Sequence, residues 1–137
     1  MSFLYKYNDG GVVGSKRSKQ TRDCSVRAAA ITFGIDYDVC YDVMARNGRK
    51  SSCGMSREYF NKALQELGTT YNKKIVYLSF PAEKGNPRMN TQKFLEKYKE
   101  GKFILNQAGH FSAAVDGVSE DSFTTWSRCV YSAWQVI

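Results

Sequence analysis

The period at which apolar residues recur changes along the chain, and this change constrains the fold most strongly. In the first half they recur every three or four residues, which is typical of helices with one buried face. A glycine follows each of these segments, where it favours the left-handed turn that ends a helix. The predicted helices span about residues 23–33, 36–45 and 56–67, and they end at Gly34, Gly48 and Gly68.

The last third of the chain is rich in short apolar segments that are typical of strands. Asp116-Gly117 lies between two of them and is a strong signal for a two-residue hairpin turn. Helices that precede a set of strands predict an α+β domain, with N-terminal helices packed on a C-terminal antiparallel sheet. The predicted strands span about residues 74–80, 102–106, 110–115, 118–126 and 129–136, and Thr91 is predicted to cap a short helix after the first strand.

The length and composition indicate one ordinary globular domain. A chain of 137 residues, 42% of them hydrophobic, is long enough for one sizeable core and too short for two. We therefore predict a single domain over residues 1–137, with residues 1–20 as a loosely structured arm. No apolar run approaches the length of a membrane span, and the first residues lack a signal-peptide apolar region. We expect a cytoplasmic protein with no membrane partner.

The charge and the cysteine count limit the classes of ligand. The net charge is +7, which is compatible with an anionic partner such as nucleic acid. The charges are dispersed, however, and no nucleic-acid-binding motif accompanies them. The four cysteines form no C-x-x-C pair and the chain has one histidine, so we expect no zinc site and no other cofactor.

Cys24 is the first candidate for a reactive residue. It stands where a polar, turn-prone segment gives way to an alanine-rich run, which places its thiol in the first turn of the first helix. The partial positive charge and free N–H groups of a helix N-terminus favour the nucleophilic thiolate. We expect the other cysteines to be structural, with Cys53 the most exposed; these are Cys40, Cys53 and Cys129.

His110, the only histidine, begins one of the predicted strands and is the candidate base. If Asp116-Gly117 is the turn, Val115 faces Val118, and counting back places Asp121 diagonally opposite His110 on the same face. Diagonal neighbours are close enough for a carboxylate to reach an imidazole nitrogen. Asp116 lies six residues along the same strand and is too far away. We therefore predict a Cys24–His110–Asp121 triad.

An acyl-transfer site also needs hydrogen-bond donors for the oxyanion that develops during attack. The backbone N–H of Cys24 is one candidate donor. A side-chain amide upstream would supply a second, and Gln20 is the candidate that we assign to this role. Thr21 or the Asp23 backbone are alternatives.

These residues resemble the motifs of the papain-like cysteine peptidase superfamily. The Cys-x-x-Arg-Ala element is similar to the nucleophile helix of ovarian-tumour-type deubiquitinases. The chain from about residue 20 to 136 more closely resembles small, uncharacterised papain-like proteins of phages and bacteria. It departs from those patterns in the short gap between Gln20 and Cys24, and in Phe123, where tryptophan is more usual. The matching residues are Asp23, Cys24, Arg27, Ala28, Gly109, His110, Val115, Asp116, Gly117 and Asp121.

The resemblance implies a papain-like fold and a phage-encoded cysteine hydrolase that acts on a peptide, isopeptide or related amide bond. Its partner would be a peptide or protein substrate, including a protein of the host cytoplasm. The alternative is a catalytically silent papain-like scaffold that binds a host factor or nucleic acid through its basic surface. In that case Cys24 would have no chemical role.

Overall fold

The computed structural model describes residues 4–137. Within these residues, the helices pack on a six-stranded sheet. The α+β class predicted from the sequence is confirmed. The helices are α1 (Cys24–Phe33), α2 (Tyr37–Arg46), α3 (Arg57–Thr70) and α4 (Thr91–Lys97). The strands are β1 (Tyr5–Tyr7), β2 (Ile75–Ser79), β3 (Lys102–Gln107), β4 (His110–Val115), β5 (Val118–Asp121) and β6 (Ser132–Val136).

The strands are arranged in the order β1-β5-β4-β3-β6-β2. All neighbours are antiparallel except β1 and β5, which are parallel. Asp116 and Gly117 have φ angles of 49° and 78°, as both central residues of a type I′ hairpin turn require. Val115 therefore faces Val118, and the hairpin register predicted from the sequence is confirmed.

Three helices cover one face of the sheet and α4 covers the other. On the first face Phe60 of α3 stacks on Phe111 at 4.2 Å between ring centroids and meets the edge of Trp134 at 5.2 Å. On the second face Phe94 of α4 packs against Phe103 at 5.2 Å. Successive strand residues point to opposite faces, so one strand serves both cores. The prediction that the N-terminal helices pack on the sheet is confirmed for α1–α3, which share one face. The helix α4 packs on the opposite face.

The helix boundaries follow local sequence signals. Gly34 adopts the left-handed conformation after α1, with a φ angle of 65°. Asp36 and Ser56 cap α2 and α3 by accepting hydrogen bonds from backbone N–H groups of the first turn. The predicted start of α4 was wrong by one residue, because Asn90 is the cap and Thr91 is buried.

Two strands are shorter than predicted. β5 ends at Asp121 rather than near residue 126, and β6 begins at Ser132 rather than at Cys129. Cys129 is exposed and forms only an isolated bridge with Asn90. The placement of Cys129 in a strand was therefore wrong. The segment between β5 and β6 instead runs past α4, where backbone groups of Trp126 and Arg128 accept hydrogen bonds from the start of that helix.

The predicted arm over residues 1–20 contains structure that the sequence did not indicate. Tyr5–Tyr7 forms β1 and pairs with Ser119–Asp121. Farther along, the Arg17 guanidinium forms ion pairs with Asp38 and Asp42 of α2, each at 2.8 Å. Residues 1–3 of the arm lie outside the described residues. The predicted arm therefore contacts the sheet at β5 through β1, and it contacts α2 through Arg17.

Gly68 lies inside α3, although the sequence predicts that it ends this helix; the helix continues to Thr70. A Cβ atom at Gly68 would lie 2.8 Å from the Lys73 carbonyl oxygen and 3.1 Å from Ile75 Cγ1. Glycine is needed here because the turn into β2 passes directly over the helix. Glycine is required at position 68 because it lacks a side chain, not because its backbone adopts an unusual conformation.

We predict that Gly68→Ala lowers the free energy of unfolding by about 1–2 kcal/mol, measured by urea denaturation. Alanine would gain about 1 kcal/mol in helix propensity, but overpacking against a fixed backbone costs more. Gly14→Ala is the matched control, because a Cβ at Gly14 meets nothing within 4 Å. A Gly68→Ala variant as stable as the wild type would contradict the assignment of Gly68 to a close contact.

Candidate active site

Cys24 lies half-buried at the first position of α1 and opens into a cleft of about 220 Å³, which we call the nucleophile cleft. The cleft runs between the loop that precedes α3 and the β3–β4 turn. Its walls combine one thiol, one imidazole, two amide side chains and one guanidinium. The lining residues are Cys24, Gly54, Met55, Arg57, Asn106, Gln107, Gly109, His110 and Phe111.

The N-terminus of α1 differs from those of the other three helices, each of which has a side-chain cap. No side chain among the described residues caps α1, because the Asp23 carboxylate turns away from the helix. It accepts a 2.7 Å hydrogen bond from the Tyr37 hydroxyl instead. The N–H groups of the first turn normally need an acceptor. Of the first-turn residues, Cys24 is the one that lines the cleft, so its N–H is the candidate donor to a negatively charged oxygen there.

His110 and Asp121 form a short, buried polar contact. His110 Nε2 lies 2.6 Å from Asp121 Oδ2, and both side chains are buried. This contact leaves Nδ1 as the ring nitrogen that can serve Cys24. The Phe123 ring packs against the His110 ring at 4.9 Å between centroids and shields this contact from solvent. The structure therefore brings together the three residues of the predicted triad, whose catalytic role stays a prediction.

The pKa values of Cys24 and His110 are shifted in opposite directions. Burial favours the neutral thiol, but hydrogen bonds from His110 and the Phe111 backbone, with the charges of His110 and Arg27, hold the pKa of Cys24 below its usual value. Burial also opposes protonation of His110, but hydrogen bonds and charge interactions with Asp121 and Cys24 raise the pKa of His110 to about 9. Both shifts favour the thiolate–imidazolium form of the pair over the neutral form.

The backbone of Asp121 is held by the N-terminal strand. The Asp121 carbonyl oxygen accepts hydrogen bonds from the Tyr5 hydroxyl at 3.0 Å and the Asn8 N–H at 2.9 Å. Its Oδ1 accepts a 2.6 Å hydrogen bond from the Ser122 N–H, which leaves Oδ2 directed at His110. β1 therefore contributes to the site by orienting Asp121, although none of its residues lines the cleft.

A second chain of contacts joins α1 to the same aspartate. Arg27 Nε lies 3.2 Å from Asp23 Oδ1 as an ion pair without hydrogen-bond geometry, and its NH1 group donates a 2.5 Å hydrogen bond to Ser122 Oγ. Ser122 in turn contacts Asp121. The first turn of α1 and the end of β5 are thus linked through Arg27.

The structure gives Gln20 contacts other than those predicted for an oxyanion donor. Its Nε2 donates to Ser51 Oγ at 3.0 Å, and its Oε1 accepts from the Ser52 N–H at 2.8 Å. Gln20 does not line the nucleophile cleft. Its amide holds the 49–53 loop against the segment before Cys24. The predicted oxyanion role of Gln20 has no supporting contact.

The remaining site predictions have mixed outcomes. Cys53 is exposed and Cys40 is buried, as expected. Asp116 accepts a hydrogen bond from the Gly101 N–H at the hairpin turn, so its exclusion from the site is confirmed. The Phe111 N–H was not predicted as a partner of Cys24. It lies on β4 before the ladder to β5 begins, and such a backbone donor leaves no mark in the sequence.

Four other clefts of about 330 to 370 Å³ are larger than the nucleophile cleft. None of the four is lined by Cys24 or His110, so chemistry rather than volume selects the smaller cleft as the candidate site. Comparison with protein-family models, with curated proteins and with solved structures finds no match to this chain. Across residues 4–137, no helix combines the length and apolar character needed to cross a membrane. The geometry of the site is the basis for its proposed chemistry.

We predict that iodoacetamide alkylates Cys24 with a pH midpoint below about 8.5, the ordinary value for a thiol. The reaction rate follows the thiolate fraction, so a lowered pKa of Cys24 moves the midpoint to a lower pH than that of an ordinary thiol. The measurement uses a chain in which the exposed Cys53 and Cys129 are replaced by serine. A midpoint at or above the ordinary value would contradict the ion pair.

Substitutions in the same background separate the causes. His110→Ala should raise the midpoint most, because it removes a hydrogen bond and a positive charge and leaves the effect of burial unopposed. Arg27→Met should raise it less, since the Cys24 thiolate then loses a nearby charge but no hydrogen bond. Arg17→Met, which removes an arginine paired with α2, should leave the midpoint unchanged.

Proposed function

We propose that this protein is a cysteine hydrolase of the papain-like type, in which Cys24 is the nucleophile, His110 the base and Asp121 the residue that orients His110. The substrate would contain a peptide, isopeptide or related amide bond. The observation that carries the proposal is the buried 2.6 Å contact of His110 Nε2 with Asp121, next to a thiol with a lowered pKa. A nucleophile, a base within reach and a third group that orients the base are the parts that covalent catalysis requires.

The arrangement of the three residues supports the papain-like assignment. The nucleophile begins an N-terminal helix, whereas His110 and Asp121 lie on adjacent antiparallel strands that this helix crosses. The motifs around all three resemble those of the superfamily. A structural cysteine would not need a neighbouring imidazolium; at the buried Cys40, burial and the Asp36 charge instead raise the pKa of the thiol.

In the first half of the proposed reaction, the Cys24 thiolate attacks the carbonyl carbon and a C–S bond forms. The carbonyl electron pair moves to the oxygen, which becomes an oxyanion. When this intermediate collapses, the C–N bond breaks and protonated His110 delivers its proton to the departing amine. Cys24 is left as a thioester and His110 is neutral.

In the second half, water attacks the thioester. Neutral His110 accepts a proton from the water as the new C–O bond forms. The C–S bond then breaks, the carboxylic acid product leaves, and the thiolate–imidazolium pair is restored. Asp121 stays ionised throughout and keeps the imidazole ring in the same orientation.

The uncapped start of α1 supports oxyanion stabilisation. The Cys24 N–H lies at the first helical position and no side chain of residues 4–137 caps this turn. An oxyanion on the attacked carbon would form next to Cys24 Sγ and so near this N–H group. Donors of this kind are effective because they are already oriented before the reaction begins.

The test of the nucleophile is labelling by a dipeptidyl vinyl sulfone, which alkylates an activated thiol in the position of an acyl group. We expect labelling of the wild type, no labelling of Cys24→Ala, and labelling of Cys53→Ala at the wild-type rate. Cys53 is the matched control because it is an exposed thiol on the loop next to the cleft. Equal labelling of the two variants would overturn the proposal.

The test of Asp121 compares two asparagine substitutions. We expect Asp121→Asn to slow vinyl sulfone labelling at pH 7 by about tenfold, because an amide oxygen can accept the His110 hydrogen bond but lacks the charge that stabilises the imidazolium. Asp116→Asn is the control, since Asp116 belongs to the same hairpin and asparagine tolerates its left-handed conformation. Similar rates for both variants would remove Asp121 from the proposed mechanism.

A further inference from the structure

Arg57, the first residue of α3, lies between two clefts. It lines the nucleophile cleft with Cys24 and His110, and it also lines one of the larger clefts, which we call the α3 cleft. The two clefts therefore meet at one side chain. The residues that line the α3 cleft are Arg57, Glu58, Asn61, Gln65, Tyr77 and Trp134.

The nucleophile cleft contains a single permanently charged side chain. Among the described residues that line it, Arg57 is the only lysine, arginine, aspartate or glutamate. Two other arginines near the site are engaged: Arg27 pairs with Asp23, and Arg49 donates to Gln20 and to the Thr21 carbonyl. Arg57 is in none of the ion pairs found within residues 4–137. Its charge is therefore free to bind a ligand.

The Arg57 guanidinium is also held in place. Its NH1 group donates a 2.8 Å hydrogen bond to the Tyr77 hydroxyl, and its carbon lies 5.9 Å from the centroid of the Tyr77 ring. Tyr77 packs in turn against the buried Trp134 at 5.6 Å. A guanidinium that is oriented before binding loses less entropy when it forms paired hydrogen bonds with a planar carboxylate.

Glu58 limits where a ligand carboxylate can lie. It lines the α3 cleft but not the nucleophile cleft, so a second carboxylate deep in the α3 cleft would be repelled. Within residues 4–137, no acidic residue lines the nucleophile cleft on the Cys24 side of Arg57. The amide groups of Asn61 and Gln65 suit the polar backbone of a peptide beyond that point.

We propose that the two clefts form one peptide-binding groove, and that Arg57 binds a substrate carboxylate immediately next to the scissile bond. The carboxylate would be an aspartate or glutamate side chain or the C-terminus of the substrate chain. This inference rests on the proposed function, because it takes Cys24 as the reacting group. It makes Arg57 a specificity-determining residue and predicts acidic substrates for this basic protein.

The experiment uses full-length Cys24→Ala protein and two libraries of randomised hexapeptides, both acetylated at the N-terminus. One library has amidated C-termini and the other has free C-termini. Peptides retained by the protein are sequenced by mass spectrometry. The same selection is made with Arg57→Gln, with Arg57→Lys and with Lys62→Gln. The last is the control, because Lys62 lies on the same helix and lines neither cleft.

We expect about tenfold enrichment of aspartate or glutamate over asparagine or glutamine at one position, or of free over amidated C-termini. The first result identifies a side-chain carboxylate and the second a chain terminus. Arg57→Gln should abolish the enrichment, Arg57→Lys should retain part of it, and Lys62→Gln should leave it intact.

Absence of enrichment, or enrichment that survives in Arg57→Gln, would overturn the inference. Vinyl sulfone labelling of the wild-type chain tests the nucleophile separately. Labelling without acidic enrichment would overturn only the role of Arg57. Enrichment that depends on Arg57 without any labelling would support the groove and overturn the hydrolase proposal.

Discussion

The pairing of Val115 with Val118 across the Asp116-Gly117 turn is the constraint on which the site depends. The side-chain period of a strand is two residues, so a slip of one residue would move Asp121 to the opposite face from His110. The left-handed conformations of both turn residues favour one register. The parallel pairing of β1 with β5 then fixes the far end of the hairpin, because Tyr7 lies opposite Asp121.

The polar and charged groups under the site contact one another in a continuous chain. Asp23, Arg27 and Ser122 connect the start of α1 to Asp121, which contacts His110, whose charge in turn stabilises the Cys24 thiolate. Buried charges are costly unless they are paired, so each group is stabilised by its neighbours. Asp23 acts on Arg27 and Tyr37 instead of capping its own helix. Stability is given up at the N-terminus of α1, where the proposed reaction needs free N–H groups.

Much of the central fold and of the site could be predicted from local signals. The alanine-rich run after Cys24, the helix starts near residues 36 and 56, and the hairpin turn each depend on signals within a few residues, and the structure has all of them as predicted. β1 could not be predicted, because three residues carry too little pattern and their pairing partner lies more than a hundred residues away. The contacts of Gln20 could not be predicted for a similar reason, since sequence proximity to Cys24 does not determine which way its amide points.

The sequence by itself determined that a thiol begins a helix, that a histidine begins a strand, and that an aspartate shares that histidine's face. These are local facts, set by helix boundaries and by the twofold period of a hairpin. Only the tertiary structure decided that α1 lies across β4, so that Cys24 interacts with His110, and that Arg57 stands between two clefts. Such relations depend on how helices pack on a sheet, and packing is decided by the shapes of side chains distant in the sequence.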